Sequence, residues 1–523
     1  MPDAARATTV NTPLDAIVAL MLDAATHGGH PVTHKETPLS HIFLVGDVAY
    51  KLKKPIRFDF VDYSTLDQRQ YYCELELTLN QRFAPELYLG LLPIQQTAGG
   101  LVLGDAGGET VEYVIKMKRF DEAELFSNLL AANLLESRQL SSLTDSLVQA
   151  TTELPAEPAA WQPELVQQLA ASAVAGLAGF PEIIPPEVAA SLETRVMTEA
   201  AKLADLMAIR QRQHVQRGHG DLHLGNICWF EGRALMFDAL EFSAELATTD
   251  ILAELAFITM DLAAHEREDL ATLVLNRYLK RSDDFAGLPL LSFYEAYRAI
   301  IRARVCCLQQ LDTTALERRR LTAEALRYAI FAQRRLAPAP NAPLRIIAIG
   351  GLSGSGKSTL GRALAESIGA VHVRSDAVRK HLLGIPVYER CPPEGYSEEH
   401  SLKTYAGLLE RAEAVLATGR PVVLDAVYHR EEQREEVAAF AHAKGVPFTG
   451  LWCSVPHDVA RQRIGTRRGD ISDAGMTPES IEWFEKMLIT DMGRISWHRL
   501  DTLYGVDQVL QRVMSVLELA AHS

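Results

Sequence analysis

The stretch Gly351-Leu352-Ser353-Gly354-Ser355-Gly356-Lys357-Ser358 decides the fold of the last third of this chain. It directly follows residues 344–349, a short β-branched run typical of a buried parallel strand, and it precedes a helical pattern at residues 359–368. Glycines let such a loop turn its backbone N–H groups toward a phosphate, and the following helix adds the positive end of its dipole. The stretch therefore predicts a nucleotide site in a parallel α/β sheet, and the alternative is a chance turn rich in Gly and Ser.

Within this motif, each residue type has an expected contact with ATP or Mg²⁺. Lys357 is expected to reach the β- and γ-phosphates, and Ser358 is expected to be a ligand of Mg²⁺. Asp425 ends an apolar strand predicted at residues 421–425 and is suited to hold the same ion through water, although an ordinary strand-terminal aspartate is the alternative. The residues expected to bind the nucleotide are Gly351, Ser353, Gly354, Ser355, Gly356, Lys357, Ser358 and Thr359.

A second group of residues follows a strand predicted at residues 371–373, namely Arg374-Ser375-Asp376 and, one helical turn later, Arg379. With the loop and Asp425, they make residues 344–517 resemble small P-loop kinases such as gluconate kinase, chloramphenicol phosphotransferase, the zeta toxins and polynucleotide kinase. The resemblance implies that Asp376 faces the acceptor hydroxyl as general base and that Arg379 holds the acceptor. The alternative for Asp376 is an N-cap of a helix over residues 377–383.

A basic segment at residues 461–468 resembles the arginine-bearing lid of the same kinases. In that lid, guanidinium groups neutralise charge on the transferring phosphoryl group. Arg463 and Arg467 are spaced i and i+4, which places both on one face of a helix. The resemblance implies that they contact the nucleotide, and a solvated basic helix is the alternative.

Another motif, His219-Gly220-Asp221-Leu222-His223-Leu224-Gly225-Asn226, lies near the middle of the chain. Asp238 follows it, after an apolar strand predicted at residues 233–236. Together they look like the catalytic loop and metal-binding aspartate of the aminoglycoside phosphotransferases and choline kinases, which have a protein-kinase-like fold. The resemblance implies that Asp221 orients and deprotonates the acceptor, while Asn226 and Asp238 hold Mg²⁺. The two histidines of the loop are expected to brace it by hydrogen bonds rather than to transfer protons.

Upstream of this loop, Lys51 occupies the place of the strand lysine that contacts the α- and β-phosphates in such kinases. Lys53 and Lys54 follow directly, and a surface basic cluster is the interpretation for these two. No Gly-x-Gly-x-x-Gly sequence precedes Lys51, although aminoglycoside-type kinases manage with a loop that bears a serine. This resemblance covers residues 37–336.

The carboxylate partner of the strand lysine is expected on the next helix, predicted at residues 68–83. Glu76 is the preferred candidate and Glu74 is the alternative. Because the two glutamates are two residues apart on a helix, they cannot both face the lysine.

The length of 523 residues exceeds what one hydrophobic core usually organises, at roughly 100–200 residues per domain. Alternating prolines at residues 338–343 break any helix and favour an extended connector. The predicted fold class is an α/β multidomain protein, in which a two-lobed, protein-kinase-like α+β fold precedes a P-loop NTPase domain with a parallel sheet. The predicted domains are 1–338, with an N-lobe at about 30–118 and a helical C-lobe at about 119–336, a Pro/Ala linker at 339–343, and 344–523.

Composition and charge argue against several classes of protein. The formal net charge of −15 argues against nucleic acid as a main partner, because neutralising backbone phosphates needs a basic face. No apolar run is long enough to span a bilayer. Six cysteines without regular spacing argue against a disulfide framework, so a reducing cytoplasm is the expected compartment.

These motifs predict a cytoplasmic bifunctional phosphotransferase. Each module is expected to transfer the γ-phosphoryl group of MgATP to a hydroxyl group of a small molecule, such as an aminoglycoside, a sugar or a related metabolite. In one alternative, one of the modules is a nucleotide-binding regulatory switch. In the other, the P-loop half modifies nucleic-acid ends, as polynucleotide kinase does. Each module has a candidate base, Asp221 or Asp376, and candidate metal ligands, which favours two enzymes over a switch.

Overall fold

A computed structural model describes residues 14–58, 61–152, 156–157, 161–337, 344–466 and 492–521. The chain divides into two compact units. Unit 1 comprises Met1–Val166 and Met207–Ile258, and unit 2 comprises Gln167–Leu206 and Thr259–Ser523. In the part of the chain that the structure describes, no helix is both long and apolar enough to cross a membrane.

Unit 1 is built on a six-stranded antiparallel sheet. The strands of its first part are β1 (Val32–Glu36), β2 (Ser40–Val45), β3 (Val48–Lys53), β4 (Arg57–Phe58), β5 (Val61–Asp62), β6 (Tyr88–Thr97), β7 (Gly100–Leu103) and β8 (Glu109–Lys118). The order across the large sheet is β1-β2-β3-β8-β6-β7, and β4 pairs with β5 separately. This order places the strand that carries Lys51 in the middle of the sheet.

The hairpin of β2 and β3 shows how the sequence produces this sheet. Val45 pairs with Val48 across a two-residue turn, and Gly46 adopts a φ of +53° there, which glycine tolerates without steric cost. Phe43 and Val45 point into the core, as expected for a period of two residues. The alternation therefore fixes which side chains of β3 face inward.

The helices described as far as residue 264 include two, the first and the second, that pack against strands of this sheet. Their bounds are α1 (Leu14–Leu22), α2 (Leu66–Asn80), α3 (Phe126–Ala131), α4 (Ser137–Thr152), α5 (Pro163–Leu177), α6 (Pro186–His214), α7 (Ala244–Ala247) and α8 (Ile251–Ala264). Helix α2 begins with a capping box, in which Thr65 and Gln68 satisfy each other's backbone N–H groups. The division between the units falls within α5, α6 and α8.

Two short antiparallel ribbons of unit 1 frame the central motif. Their strands are β9 (Val215–Arg217), β10 (Ile227–Phe230), β11 (Arg233–Met236) and β12 (Thr248–Asp250). Strand β9 pairs with β12, and β10 pairs with β11. Residues 219–226 thus connect the two ribbons as a loop.

Unit 2 contains three long helices that precede the P-loop segment, α9 (Glu268–Ser282), α10 (Leu288–Gln309) and α11 (Ala315–Arg335). At the end of α11, Arg335 lies 2.8 Å from both Glu268 and Glu295, of which Glu295 is fully buried. The paired charges let these helices bury an ionised carboxylate. The predicted domain boundaries at residues 338 and 344 stay a prediction, and the predicted linker at 339–343 lies outside the described residues.

The P-loop segment of unit 2 is a five-stranded parallel sheet covered by helices. Its elements are β13 (Ile346–Gly350), α12 (Lys357–Ile368), β14 (Val371–Arg374), α13 (Ser375–Leu382), α14 (Glu398–Leu416), β15 (Val422–Asp425), α15 (Glu431–Ala443), β16 (Phe448–Ser454), α16 (His457–Thr466), β17 (His498–Asp501) and α17 (Val506–Ala521). The strand order is β14-β15-β13-β16-β17. Because the order changes direction at β13, ligands are expected at the carboxyl ends of β13 and its neighbours.

Apolar side chains from one face of this sheet and from α12 form a buried core. The buried residues include Ile347, Ile349, Leu360, Leu364, Val423 and Leu451. The strands predicted at 344–349, 371–373 and 421–425 agree with β13, β14 and β15 to within two residues at each end. The α/β class with a parallel sheet is confirmed for this segment, whereas the protein-kinase-like class of the first part stays a prediction.

Candidate functional site

The loop after β13 adopts a path that only glycine permits at two positions. Gly351 has a φ of +138°, and a Cβ atom there would lie 2.4 Å from the carbonyl oxygen of Cys453. Gly354 has a φ of +79°, and its Cβ atom would lie 2.4 Å from the carbonyl oxygen of Ala460. The loop is thus packed against the ends of β16 and α16, and Lys357 follows it as the first residue of α12. This is the strand, loop and helix order that a phosphate-binding loop requires.

Thr502, directly after β17, holds this loop by a hydrogen bond and also contacts Arg463. Its buried hydroxyl donates to the carbonyl of Ser355 at 2.5 Å, and its own carbonyl accepts a hydrogen bond from Arg463 at 2.8 Å. A Cβ atom on Gly356 would lie 3.4 Å from the Arg463 guanidinium, so this arginine lies beside the loop. Arg467, the other arginine predicted to contact the nucleotide, lies outside the described residues.

The candidate metal carboxylate, Asp425, is buried at the end of β15, in register with Ile349 of β13 and Arg374 of β14. Its Oδ2 lies 3.4 Å from His372 Nε2 and 3.5 Å from Arg374 Nε. Burial raises the pKa of Asp425, but the neighbouring His372 and the charges of Arg374 and Lys357 outweigh this effect and hold the pKa below its usual value. The carboxylate is therefore ionised.

The surroundings of Asp425 fit a bound Mg²⁺ ion. Among the described residues, its buried Oδ2 has no hydrogen-bond partner with good geometry. Burial is also the main cause that lowers the pKa of His372, so the imidazole beside Asp425 is neutral near pH 7. A buried, ionised carboxylate oxygen with unused acceptor capacity is the kind of ligand that Mg²⁺ prefers. Ser358, in the first turn of α12, is the second candidate ligand.

The candidate acceptor side begins at the carboxyl end of β14. Helix α13 starts at Ser375, so Asp376 lies in its first turn and Arg374 occupies the N-cap position. The alternative that Asp376 is the N-cap is therefore wrong. Arg374 connects the two carboxylates, because its Nη2 lies 3.7 Å from Asp376 while its Nε approaches Asp425.

Arg379, predicted to hold the acceptor, is buried in α13. It donates to the carbonyl of Gly395, and its guanidinium lies 4.8 Å from the ring centroid of Tyr396. In this structure the side chain orders the loop before α14. Its predicted contact with an acceptor stays a prediction.

In unit 1, Lys51 of β3 lies between two carboxylates. Its Nζ is 2.7 Å from Glu76 Oε1 and 2.5 Å from Asp238 Oδ1. Glu74, the alternative partner, instead accepts a hydrogen bond from Gln70 at the protein surface. Lys51 therefore pairs with Glu76, the preferred candidate, and Asp238 lies beside the same ammonium group.

A second lysine extends this cluster, contrary to the expectation of a surface position for Lys53. Lys53 is buried, and its Nζ lies 2.6 Å from Glu76 Oε2 and 2.5 Å from Glu241 Oε1. Tyr63 also donates to Glu241, at 2.5 Å. Burial lowers the pKa of Lys53, but Glu241 and Glu76 raise it more, so the pKa lies above its usual value and the lysine is charged. Lys54 is partly buried, with its side chain 15% exposed, and it pairs with the exposed Glu36.

The central loop brings Asp221 and Asn226 together. The Asn226 amide donates to the backbone carbonyl of Asp221 at 2.9 Å and lies 3.4 Å from its carboxylate. His223 accepts a hydrogen bond from the N–H of Gly225 and its Nε2 lies 3.6 Å from Asp221. The loop thus holds a half-buried carboxylate beside an amide.

His219 and Glu254 hold this loop by hydrogen bonds to neighbouring segments. Burial lowers the pKa of His219 to about 4, so its imidazole is neutral and donates from Nε2 to the carbonyl of Phe237 at 2.9 Å. Glu254 of α8 accepts the N–H of Gly220 at 2.9 Å. The His219 contact joins the loop to Phe237, the residue before Asp238, and the Glu254 contact joins the loop to α8. A hydrogen bond that holds the loop is the role expected for His219.

The residues of these sites that were not predicted from the sequence include Lys53, Glu241, His372 and Thr502. Lys53 follows Lys51 by two residues on a strand, and this spacing places both on one face of the sheet. That spacing was the available signal. His372 and Thr502 have no local signal, because each acts through a residue far along the chain.

Comparisons with known proteins give matches to part of the chain and matches to most of it. Residues 346–484 match the family model of an AAA domain, and this range contains the loop, Asp376 and Asp425. The uncharacterized protein Rv2004c of Mycobacterium tuberculosis is 30% identical over 483 residues, which cover 87% of this chain and 92% of that protein. A shikimate kinase of Bradyrhizobium diazoefficiens is 32% identical over 129 residues, or 24% of this chain and 56% of the kinase. Among solved structures, a gluconokinase from Sinorhizobium meliloti is 22% identical, with a TM-score of 0.26. The match covers 34% of this chain and 95% of the gluconokinase chain.

Proposed function

This chain belongs to the family of the uncharacterized protein Rv2004c, and we propose that its P-loop segment transfers the γ-phosphoryl group of MgATP to a hydroxyl group of a small molecule. The relation to a shikimate kinase confirms the prediction of a kinase with a hydroxyl acceptor. The observation that carries the proposal is the arrangement at the ends of β14 and β15. There, Arg374 approaches both Asp376 and the buried Asp425, beside the loop that precedes Lys357.

In the proposed reaction, the side chains divide the work between nucleotide and acceptor. Lys357 and the N–H groups of the loop bind the phosphates, and Arg463 neutralises charge on the group in transfer. Ser358 and Asp425 would hold Mg²⁺, which would neutralise charge on the phosphates. Asp376 accepts the proton of the acceptor hydroxyl as the bond from its oxygen to the γ-phosphorus forms, while the bond from the γ-phosphorus to the β,γ-bridging oxygen breaks and ADP leaves.

Positions of the charged groups support this division. The Asp376 side chain is 29% exposed, so it can meet an acceptor from solvent, whereas Asp425 is buried and kept ionised. A base needs access to its substrate, and a metal ligand needs a fixed position. The two aspartates therefore suit different tasks although both follow neighbouring parallel strands.

A substitution pair tests the base. Asp376→Asn should lower turnover about 100-fold or more, because general base catalysis contributes 10²–10⁴-fold, while the affinity for MgATP changes little. Asp507→Asn is the matched control, since Asp507 also lies in the first turn of a helix but is exposed. Turnover is measured by mass spectrometry of products, with shikimate, gluconate and a pool of hydroxyl metabolites as acceptors. Equal turnover of the two variants would remove Asp376 from the mechanism.

We further propose that unit 1 is a second phosphotransferase of the aminoglycoside phosphotransferase type. Support comes from Lys51, which lies between Glu76 and Asp238, and from Asp221, which lies beside Asn226. In this proposal Lys51 binds the α- and β-phosphates, and Asp221 takes the acceptor proton. Asn226 and Asp238 would hold Mg²⁺, because their amide and carboxylate oxygens suit that ion and the Asp238 side chain is 44% exposed.

A regulatory nucleotide switch is the second candidate for unit 1. The pairing of Lys51 with both carboxylates favours it, because nucleotide binding must exchange these contacts and could change the unit's conformation. The Asp221→Asn variant separates the two candidates, with aminoglycosides added to the acceptor pool. If one set of products disappears in Asp221→Asn and another in Asp376→Asn, both units are kinases. If Asp221→Asn removes no product, unit 1 is better explained as a switch.

The polynucleotide kinase alternative has its own test. An oligonucleotide with a 5′-hydroxyl group is added as acceptor, and its phosphorylation is followed by gel mobility. Given the net charge of −15, we expect no phosphorylation under conditions where small acceptors react. Phosphorylation that depends on Asp376 would reassign the acceptor class.

A further inference from the structure

Helix α9 carries a stripe of polar contacts to the P-loop segment within unit 2. The contacts come from Asn276, Lys280 and Asp283, which are spaced i, i+4 and i+7 and so lie along one face of the helix. The Lys280 carbonyl accepts from His381 Nε2 of α13 at 2.9 Å. Asp283, just after the helix, is bound by Arg411 of α14 through both of its oxygens, one at 2.7 Å.

Asn276 makes the contact that reaches the sheet itself. Its Nδ2 donates to the carbonyl of Ala370 at 3.0 Å, and its Oδ1 accepts from the backbone N–H of His372 at 2.8 Å. Strand β14 is an edge strand, and on its other side it pairs with β15. One side-chain amide therefore replaces the backbone groups that a further strand would supply.

Strand β14, which Asn276 contacts, lies next to one candidate catalytic group and leads along the chain to another. The imidazole of His372 lies 3.4 Å from Asp425, the candidate metal ligand. Two residues after His372, β14 ends at Arg374, and Asp376 follows in the first turn of α13. A shift of β14 along its edge would move His372 away from Asp425 of β15 and would move Asp376 relative to the phosphate-binding loop after β13.

We propose that Asn276 is a positioning residue of the P-loop kinase, which fixes β14 so that His372 holds Asp425 in its place for the metal ion. Helix α9 is then a working part of this kinase, although the sequence assigns it to the preceding domain. The inference rests on the proposed function, because it takes Asp425 as a ligand of Mg²⁺. The other two anchors, Lys280 and Asp283, hold α13 and α14 against the same helix face.

The direct consequence is a dependence on magnesium. Loss of Asn276 should weaken nucleotide binding only where the metal ion contributes, because the loop at residues 351–358 follows a different strand. Removal of a group that orients a metal ligand typically costs about 10–100-fold. Since Asn276 acts through His372, we expect a smaller loss, of about three- to tenfold.

The experiment compares the full-length protein with its Asn276→Ala variant, using the fluorescent nucleotide mant-ATP with Mg²⁺ or with EDTA. With Mg²⁺, the affinity of Asn276→Ala for mant-ATP should be about three- to tenfold lower than that of the wild type. With EDTA, the two proteins should bind mant-ATP equally well. Hydrogen exchange of the His372 amide should be faster in the variant, whereas amides of β13 keep their rates. Asp269→Ala is the control, because Asp269 lies on the exposed first turn of α9 and contacts only the neighbouring Arg267 among the pairs described.

Different results refute different statements. Equal losses with Mg²⁺ and with EDTA, or no loss at all, would overturn the positioning role. If Asn276→Ala is too unstable to assay, Asn276→Asp is used instead. The carboxylate of the aspartate still accepts a hydrogen bond from the His372 N–H, but it repels the carbonyl oxygen of Ala370. Protection of the His372 amide should then persist with nearly wild-type magnesium dependence. A wild-type protein that binds no mant-ATP would refute the proposed function itself, and this inference with it.

Discussion

Removing the charge of Lys53 should destabilise unit 1 far more than removing the adjacent Lys54. The Lys53 side chain is 1% exposed, and its two partners, Glu76 and Glu241, are 0% and 7% exposed. Breaking a buried ion pair by deleting one partner costs about 3–5 kcal/mol, because it leaves an uncompensated buried charge. After Lys53→Met, Glu76 keeps Lys51 and Glu241 keeps the hydroxyl of Tyr63, so we expect the lower end, about 3 kcal/mol.

The matched control is Lys54→Met, one residue further along the chain. Lys54 pairs with Glu36, whose side chain is 59% exposed, and exposed pairs contribute about 0–1 kcal/mol. A double variant, Lys53→Met with Glu241→Gln, should recover part of the lost stability, because it also removes the charge of Glu241, which loses its lysine partner in Lys53→Met. The difference between Lys53→Met and Lys54→Met should therefore be about 2 kcal/mol or more.

Native-state hydrogen exchange is the suitable assay, because it reports the free energy of opening for each segment separately. The amides of β3 and α2 should exchange faster in Lys53→Met, and those of β13 in unit 2 should not change. A loss of less than about 1 kcal/mol relative to Lys54→Met would refute the reasoning. It would mean that water reaches the cluster and screens its charges.

Three further predictions concern single side chains. Gly354→Ala should lower the affinity for mant-ATP by more than about tenfold, because its Cβ atom would lie 2.4 Å from the Ala460 carbonyl, and an unchanged affinity would contradict the loop geometry. Thr502→Val loses the bond to Ser355, so nucleotide affinity should fall about three- to tenfold in an equilibrium titration, and Thr502→Ser should restore it. Because burial lowers the pKa of His219 to about 4 from an ordinary 6.5, the unfolded state binds more protons below pH 6.5, and stability should fall as the pH drops toward 4. His219→Asn should flatten this fall in urea titrations, by up to about 3 kcal/mol between pH 7 and pH 4.

The P-loop segment could be predicted closely because its signals are local. A β-branched strand, a glycine-rich loop and a helix follow one another within 25 residues, and their order alone fixes the position of Lys357. Asp376 and Asp425 could be placed for a related reason. Each follows a short apolar strand, and parallel strands bring their carboxyl ends to the same edge of the sheet.

The charged cluster of unit 1 could be predicted only in part, because burial depends on distant partners. Lys51 and Glu76 follow from a known pattern, but the second partner of Lys53, Glu241, lies 188 residues further along the chain. Without that contact, three basic residues within four positions are typical of a surface. Thr502 poses the same problem, since its hydroxyl meets Ser355 across 147 residues.

Asn276 illustrates a further limit. A polar residue in an amphipathic helix is normally exposed, and nothing near it in the sequence indicates a strand as its partner. The contact forms only because α9 lies along the edge of a sheet whose strand begins almost 100 residues later. Side chains that replace backbone partners in this way leave no periodic pattern to read.

The amide of Asn276 also has a consequence for how the P-loop segment can be isolated. A fragment that starts at residue 344, where the sequence suggests a domain begins, would lack α9 and would leave the Ala370 carbonyl and the His372 N–H of β14 without their partner. An uncovered strand edge is a template for pairing with another copy of the same chain. Such a fragment should associate edge to edge at high concentration. A fragment that starts at residue 259 keeps α9, and it should stay monomeric up to higher concentrations.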